Sequence, residues 1–325
     1  MSLLTQASLV LTPNAYKANK IYSIIPSSGS GDMTTTRATT ATRVNNTGVV
    51  ENVATGIPRL DYSNSLTSPT WLLEPQRTNR VLNSATVVTQ TITTTSVANT
   101  LSFYGTGTIT LSGTFSGSLV GTGASNRVSL TFTPTVGNLI LTVSGSCTNG
   151  QLEIGSYATS YIPTTTSTVT RNADLMTLNN IYTNNFITSA GGTWFVELNN
   201  NFSLVRDSPS YFGLQTSSTL QTDGIVIKTA AGGFRLQISK RITNVETPLY
   251  ITTTNQIKVA IKWNGTIIDI FVNGIKVTLI GSNSFTPTLM EYLNLTGSDV
   301  PKYVKSFILF PTPLTDSECI TLTTL

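Results

Sequence analysis

The 325-residue chain contains no histidine. That absence removes the commonest general base and metal ligand, and with it Ser-His-Asp and Cys-His catalysis and any His-ligated zinc or iron site. Charge is also scarce, at 10% of residues, with 19 Lys and Arg against 15 Asp and Glu. The basic residues are scattered, Lys240 with Arg241 being the densest pair, so the net charge of +4 does not read as a nucleic-acid footprint. The two cysteines, Cys147 and Cys319, are too few for a thiolate metal cage or a disulfide framework and read as small buried apolar residues of a chain made in a reducing cytoplasm. No apolar run approaches the roughly 18 residues that span a bilayer, and the opening MSLLTQASLVLTPNAYK lacks a basic start and a cleavage site. The expectation is a soluble, unprocessed chain with no membrane or nucleic-acid partner and no cofactor.

What the chain has instead is threonine, 59 residues of it, with many Ser and Asn and 24 Gly. Threonine is β-branched and fits a pleated strand better than a helical turn, while Gly and Asn supply the turns. An apolar content of 39% gives enough surface to bury, so the composition reads as folded β-structure with disorder confined to linkers.

Three stretches differ in pattern. Residues 1–80 show short strands between turn signals such as Pro26 to Asp32, Asn46 to Gly48, Pro58 and Pro69, and would make only a thin core alone. Residues 81–172 alternate strictly, as in Val128, Leu130, Phe132 and then Leu139, Leu141, Val143, with Pro134 and Gly137 between the runs, which predicts a small antiparallel sandwich. The Thr164 to Thr170 stretch ends it as a linker or exposed edge. Residues 173–325 carry the clearest signal: Ile257, Val259, Ile261 and Trp263, then Asn264-Gly265, then Ile268, Ile270 and Val272, then Asn273-Gly274, then Ile275, Val277 and Leu279. Asn-Gly tolerates the positive φ that a two-residue hairpin turn requires, so a three-strand meander is expected. Trp263 is in register with the core face. Phe307 to Phe310 reads as a buried strand ended by Pro311 and Pro313, and Thr315 with Glu318 has capping-box spacing for one short helix. No heptad seam or tandem repeat is present.

Candidate chemistry is sparse. A glycosidase needs two facing carboxyl groups, and alternating carboxylates along one strand would supply them. Glu197 has no acid within nine residues, and Asp269 stands alone in its strand and reads as a solvated charge. Glu74 and Glu153 sit beside apolar residues and are expected to accept backbone or arginine hydrogen bonds, with Arg77 and Arg171 as candidate partners. The stretch GTGTITLSG lacks the Gly-Lys-Ser/Thr and the helix of a phosphate loop. Gly297-Ser298-Asp299 fits a turn better than a calcium site. For glycan binding, where ring faces stack on sugars, Tyr211, Tyr250 and Tyr292 flank turns and are the candidates.

Three sets of motifs resemble the modules of bacteriophage and prophage virion proteins, in particular those of Bacteroidales phages and crAss-like relatives. Gly31-Asp32, Arg37, Thr42-Arg43-Val44-Asn45, Pro58-Arg59-Leu60-Asp61-Tyr62 and Leu73-Glu74-Pro75-Gln76-Arg77-Thr78-Asn79 resemble the attachment module of phage fibres and spikes. Gln151-Leu152-Glu153 and Tyr157 to Pro163 resemble a carbohydrate-binding-module-like sandwich, although residues 81–100 are shorter than that pattern. The stretch IKVAIKWNGTIIDIFVNG, then Leu295-Thr296-Gly297 and VKSFILFPTPLTDSE, resembles a concanavalin A-like, laminin-G-type jelly roll.

The resemblance implies an all-β chain of three parts: an extended N-terminal attachment or collar segment (1–80), a small β-sandwich (81–172) and a jelly roll (173–325). It implies a head or tail fibre or spike subunit, a homotrimer whose residues 1–80 meet other capsid or tail proteins, made in the host bacterial cytoplasm and resident in the virion. The short chain without a coiled-coil shaft points to the head. Host-surface or environmental glycan is the implied ligand. The carboxylate motif of the hydrolytic relatives is missing, which argues against an enzyme. Two alternatives stay open at this stage: a structural decoration without ligand, and a polysaccharide depolymerase with an acid pair assembled across chains.

Overall fold

The structure, a computed structural model, describes residues 3–199, 211–216, 224–230, 233–240, 245–250, 256–265, 267–277, 290–296 and 301–325, with backbone only at 211–212, 226, 228–230, 233–240, 245–250 and 296. The chain is all-β, as the composition requires, with antiparallel pairing throughout and one α-helix among the described residues.

Two large sheets face one another. One runs, in order, through Ile275–Val277, Ile267–Val272, Gln256–Asn264, Gly191–Asn199, Lys302–Phe310, Thr70–Leu73 and Leu60–Asp61, with Leu9–Leu11 also paired to Lys302–Phe310. The other runs through Tyr16–Lys17, Lys20–Ile21, Met33–Thr36, Leu175–Asn179, Tyr292–Thr296, Tyr211–Gln215, Gly224–Ala230, Gly233–Lys240 and Val245–Tyr250. Between them lies one core that includes Leu9, Met33, Trp71, Met176, Trp194, Leu214, Trp263, Leu293 and Phe307. Trp263 is fully buried there, as its register predicts.

Residues 1–80, read above as a segment of their own, supply strands to both of these sheets. Leu9 pairs with Leu309, Val304 with Trp71, and Thr35 with Met176. The physical reason is the one already apparent in the sequence: strands of two to four residues cannot bury a core alone, and the large sheets offer them edges and apolar neighbours.

The meander is present. At its second turn Asn273 (φ 48°) and Gly274 (φ 81°) both take positive φ between Val272 and Ile275, as a two-residue primed turn demands. At the first turn the register pairs Asn264 with Ile267, so Asn264 ends the strand and Gly265 (φ 57°) opens the turn, one residue later than the dipeptide predicts. Leu279 lies outside the described residues.

The helix Asp316–Thr323 begins at the expected capping box, with the Thr315 side chain accepting from the Glu318 amide and Glu318 accepting from the Thr315 amide. It covers the outer face of the first sheet, where Cys319 and Leu314 join Phe195, Ala260, Phe271 and Phe310.

Residues 81–154 form a second, smaller sandwich. A four-stranded sheet (Gln90–Thr94, Gly137–Ser144, Thr108–Gly113, Gly117–Val120) packs on a three-stranded one (Gly123–Phe132, Asn99–Gly105, Cys147–Ile154) around Leu101, Phe103, Ile109, Phe132, Leu139 and Leu141. Its chain enters and leaves through one ladder, Arg77–Asn79 paired with Val169–Arg171. The small sandwich is thus nested within the sequence of the large one.

Candidate functional site

The entry and exit ladder carries a buried ionic cluster built from the motif residues. Glu74 accepts from Arg59 Nη1 at 2.6 Å, Arg171 Nη1 at 2.7 Å, and the Ser160 amide at 2.7 Å and hydroxyl at 2.5 Å. Asp174 accepts from Arg37 Nη1 at 2.9 Å, from Arg59 Nη2 and from the Glu74 amide at 2.9 Å. Arg171 also donates to the Pro75 carbonyl and Arg59 to that of Thr42. All five charged side chains are buried. Burial alone would raise the Glu74 carboxyl, but the guanidiniums of Arg171 and Arg59 and the Ser160 hydrogen bonds outweigh it and hold it at about 2.

Of the partners expected from sequence, Arg171 does meet Glu74. Arg77 meets Glu153, at 3.8 Å, and also Tyr157, donating to its hydroxyl at 2.7 Å with the ring centroid 5.0 Å away. Glu153 accepts from the Thr159 amide and hydroxyl and from Gln151. The motifs Pro58–Tyr62, Leu73–Asn79, Gln151–Glu153 and Tyr157–Pro163 therefore converge on one seam between the two units.

Beside this cluster lies a cavity of about 270 Å³. The large unit contributes Thr42, Arg43, Asp61, Ser63, Leu72, Glu74 and Tyr303, the small sandwich Tyr104 and Arg127, and the segment leaving it Thr159, Ser160 and Tyr161. Its polar groups are held in place. Asp61 accepts from the amides of Val44 and Ser63, both at 2.9 Å. Arg127 donates to the Thr159 carbonyl at 2.5 Å and the Ser102 hydroxyl at 2.8 Å, with its guanidinium 6.0 Å from the Tyr104 ring centroid. Arg43 is paired with Glu51 at 2.7 Å. Burial, with Asp61 and Glu74 nearby, pushes the Tyr303 hydroxyl above its ordinary value, so it stays a protonated donor.

The carboxylates beside the cavity are held by donors of the chain itself. A general acid must carry a proton near neutral pH. Glu74 is ionised with four donors upon it, and both oxygens of Asp61 are engaged.

Of the three tyrosines proposed from sequence, Tyr292 does not line this cavity. Tyr292 is half-buried in the second large sheet, opposite Asn179 and Gln215. Tyr211 and Tyr250 lie in strands of the same sheet, and their side chains are outside the described residues. The turn 297–299 considered for calcium is also outside them. Asp269 sits on the outer face between Lys276 at 3.1 Å and Lys262 at 3.7 Å. Sequence reasoning missed Tyr104, Tyr161, Tyr303 and Arg127 as a group. One signal was available: Arg127 is the single charged residue between Arg80 and Glu153.

No family model and no curated protein matches this chain. Among solved structures, the binding domain of Botulinum neurotoxin DC in complex with rat synaptotagmin II is similar over 47% of this chain and 40% of that one, at 15% identity and a TM-score of 0.36. A structure of botulinum neurotoxin type C, a protein whose cell entry is dependent upon interaction with two ganglioside molecules, is similar over 47% and 40%, at 10% identity and a TM-score of 0.35. The K499G mutant of NanB sialidase from Streptococcus pneumoniae is similar over 46% and 26%, at 15% identity and a TM-score of 0.33. The chain spans less than half the length of each of these, and the likeness is one of β-architecture.

Proposed function

We propose that this chain is a non-enzymatic appendage subunit of a bacteriophage particle, a head or tail fibre or spike, and that it adheres to host-surface or environmental glycans through the seam cavity. The observation that carries the adhesive reading is the cavity's lining. Tyr104 and Tyr303 bring aromatic rings to the lining, fixed arginine, serine and threonine side chains surround them, and the carboxylates are engaged elsewhere. The phage assignment rests on the motif resemblance. On this reading the particle carries the protein as homotrimers, residues 1–80 meet other virion proteins, and weak individual contacts gain residence through copy number.

The test is incubation with polysaccharide extracted from the host surface, followed by size exclusion that reads both retention of the protein and length of the polymer. Retention with an intact polymer, lost in Arg127→Ala and weakened in Tyr303→Phe, is expected. A shortened polymer would overturn the non-enzymatic reading, and no retention would favour a decoration without ligand.

A further inference from the structure

The arginines described at the seam are of two kinds. Arg37, Arg43, Arg59, Arg77 and Arg171 each meet a carboxylate, at 3.8 Å or less. Arg127, in the lining of the cavity, meets none among the described residues: it donates to the Thr159 carbonyl and the Ser102 hydroxyl, both neutral acceptors. Those bonds occupy two of the five N–H donors of a guanidinium, and its Nε is buried without a hydrogen-bond partner.

The sequence explains the difference. From Val81 to Leu152 Arg127 is the only charged residue, so the small sandwich has no carboxylate to offer it. The acids of the cavity are committed to the large unit's side. Glu74 serves Arg59 and Arg171, and Asp61 accepts from the amides of Val44 and Ser63. The cluster behind Glu74 leans the same way, with the three guanidiniums of Arg37, Arg59 and Arg171 against the two carboxylates of Glu74 and Asp174. A half-buried guanidinium without a counter-charge attracts an oxyanion more strongly than one in open water, and its planar fork matches two oxygens of one group.

We infer that the ligand of the seam cavity is an acidic glycan, one sugar of which carries an oxyanion, a carboxylate or a sulfate ester, that seats on Arg127. This rests on the adhesive reading above and names the chemistry of its ligand. The cavity, at about 270 Å³, is at the small end of ligand pockets, which run from roughly 300 to 1,000 Å³, and so takes one sugar unit rather than a length of polymer. Asp61, on the large unit's side, repels an anion, which leaves the small-sandwich side as its place. The guanidinium is already fixed there by Thr159, Ser102 and the Tyr104 ring, whose centroid is 6.0 Å away, so binding orders little that was free.

The experiment uses polysaccharide extracted from the host surface in three forms: native, with carboxyl groups reduced to alcohols, and desulfated. Retention of the full chain on each is read by size exclusion. The native polymer should retain the protein, and one of the two treatments should weaken retention at least roughly tenfold, which identifies the oxyanion. Arg127→Gln should weaken retention on the native polymer to the same degree, and Arg127→Lys, which keeps the charge without the fork, by less. Lys276→Gln, which removes a positive charge from the outer face, outside the cavity lining, should leave retention unchanged. That variant separates the site from the general pull of a chain of net charge +4 on any polyanion. Circular dichroism checks that the variants fold, and the treated polymers test the inference on wild type alone. Retention that survives both treatments, a folded Arg127→Gln variant retained like wild type, or equal losses in Arg127→Gln and Lys276→Gln would each overturn the inference and leave adhesion itself standing. No retention on any of the three forms would remove the adhesive reading and this inference together.

Discussion

Arg59 and Glu74, fifteen residues apart in sequence, meet at 2.6 Å with side chains 0% and 1% exposed. Arg59 immediately precedes the large unit's strand Leu60–Asp61, and Glu74 begins the passage into the small sandwich. Their contact, with Arg171 closing from the exit strand, ties the two units at one point.

Removing Glu74 should therefore cost far more than the pair contributes. Glu74→Gln leaves two buried guanidiniums short of a counter-charge, a loss of about 3–5 kcal/mol. Urea denaturation of the full chain checks this, with a lowered midpoint expected.

The same carboxyl sets an acid response. Its value of about 2 in the folded chain lies below that of an unfolded carboxylate, so its contribution is complete above about pH 5 and is lost as pH falls through about 2. The contribution is on the order of 3 kcal/mol. The stability gap between wild type and Glu74→Gln should shrink steadily over that window, as followed by denaturation at successive pH values.

The helix cap reports through a cysteine. Burial pushes the Cys319 thiol up to about 12 and leaves it 0% exposed, so it should resist thiol reagents at mildly alkaline pH. Thr315→Ala removes the cap at a cost of about 1 kcal/mol. The expected result is faster Cys319 labelling with Cys147, in the other unit, unchanged.

At the second meander turn Gly274 has φ 81°, and a Cβ there would lie 3.1 Å from Thr324 Oγ1. Gly274→Ala should destabilise by about 1–2 kcal/mol through the left-handed conformation and this close approach. A thermal melt measures it.

Local features were the legible ones. Period-two runs such as Leu139, Leu141, Val143, the Asn273-Gly274 turn and the Thr315 to Glu318 box depend on neighbouring residues alone, and sequence exposes them. The pairing of Leu9 with Leu309 could not be read, because nothing local records which edge a three-residue strand will find. The seam was partly legible: the apolar neighbours of Glu74 and Glu153 foretold buried carboxylates, and Arg171 was a nameable partner. Tyr104 and Tyr303 were not, since their positions by the cavity follow only once both units are placed.

The pairing of Leu9 with Leu309 also sets an order of events on the ribosome. At about 5–20 residues per second, the strand Leu9–Leu11 waits on the order of fifteen seconds to a minute for its partner to be synthesised. The nested sandwich, whose core is complete at Leu152, can close in the meantime. It would then hold its own two ends together, and so keep the early and late strands near one another when the last of them emerges.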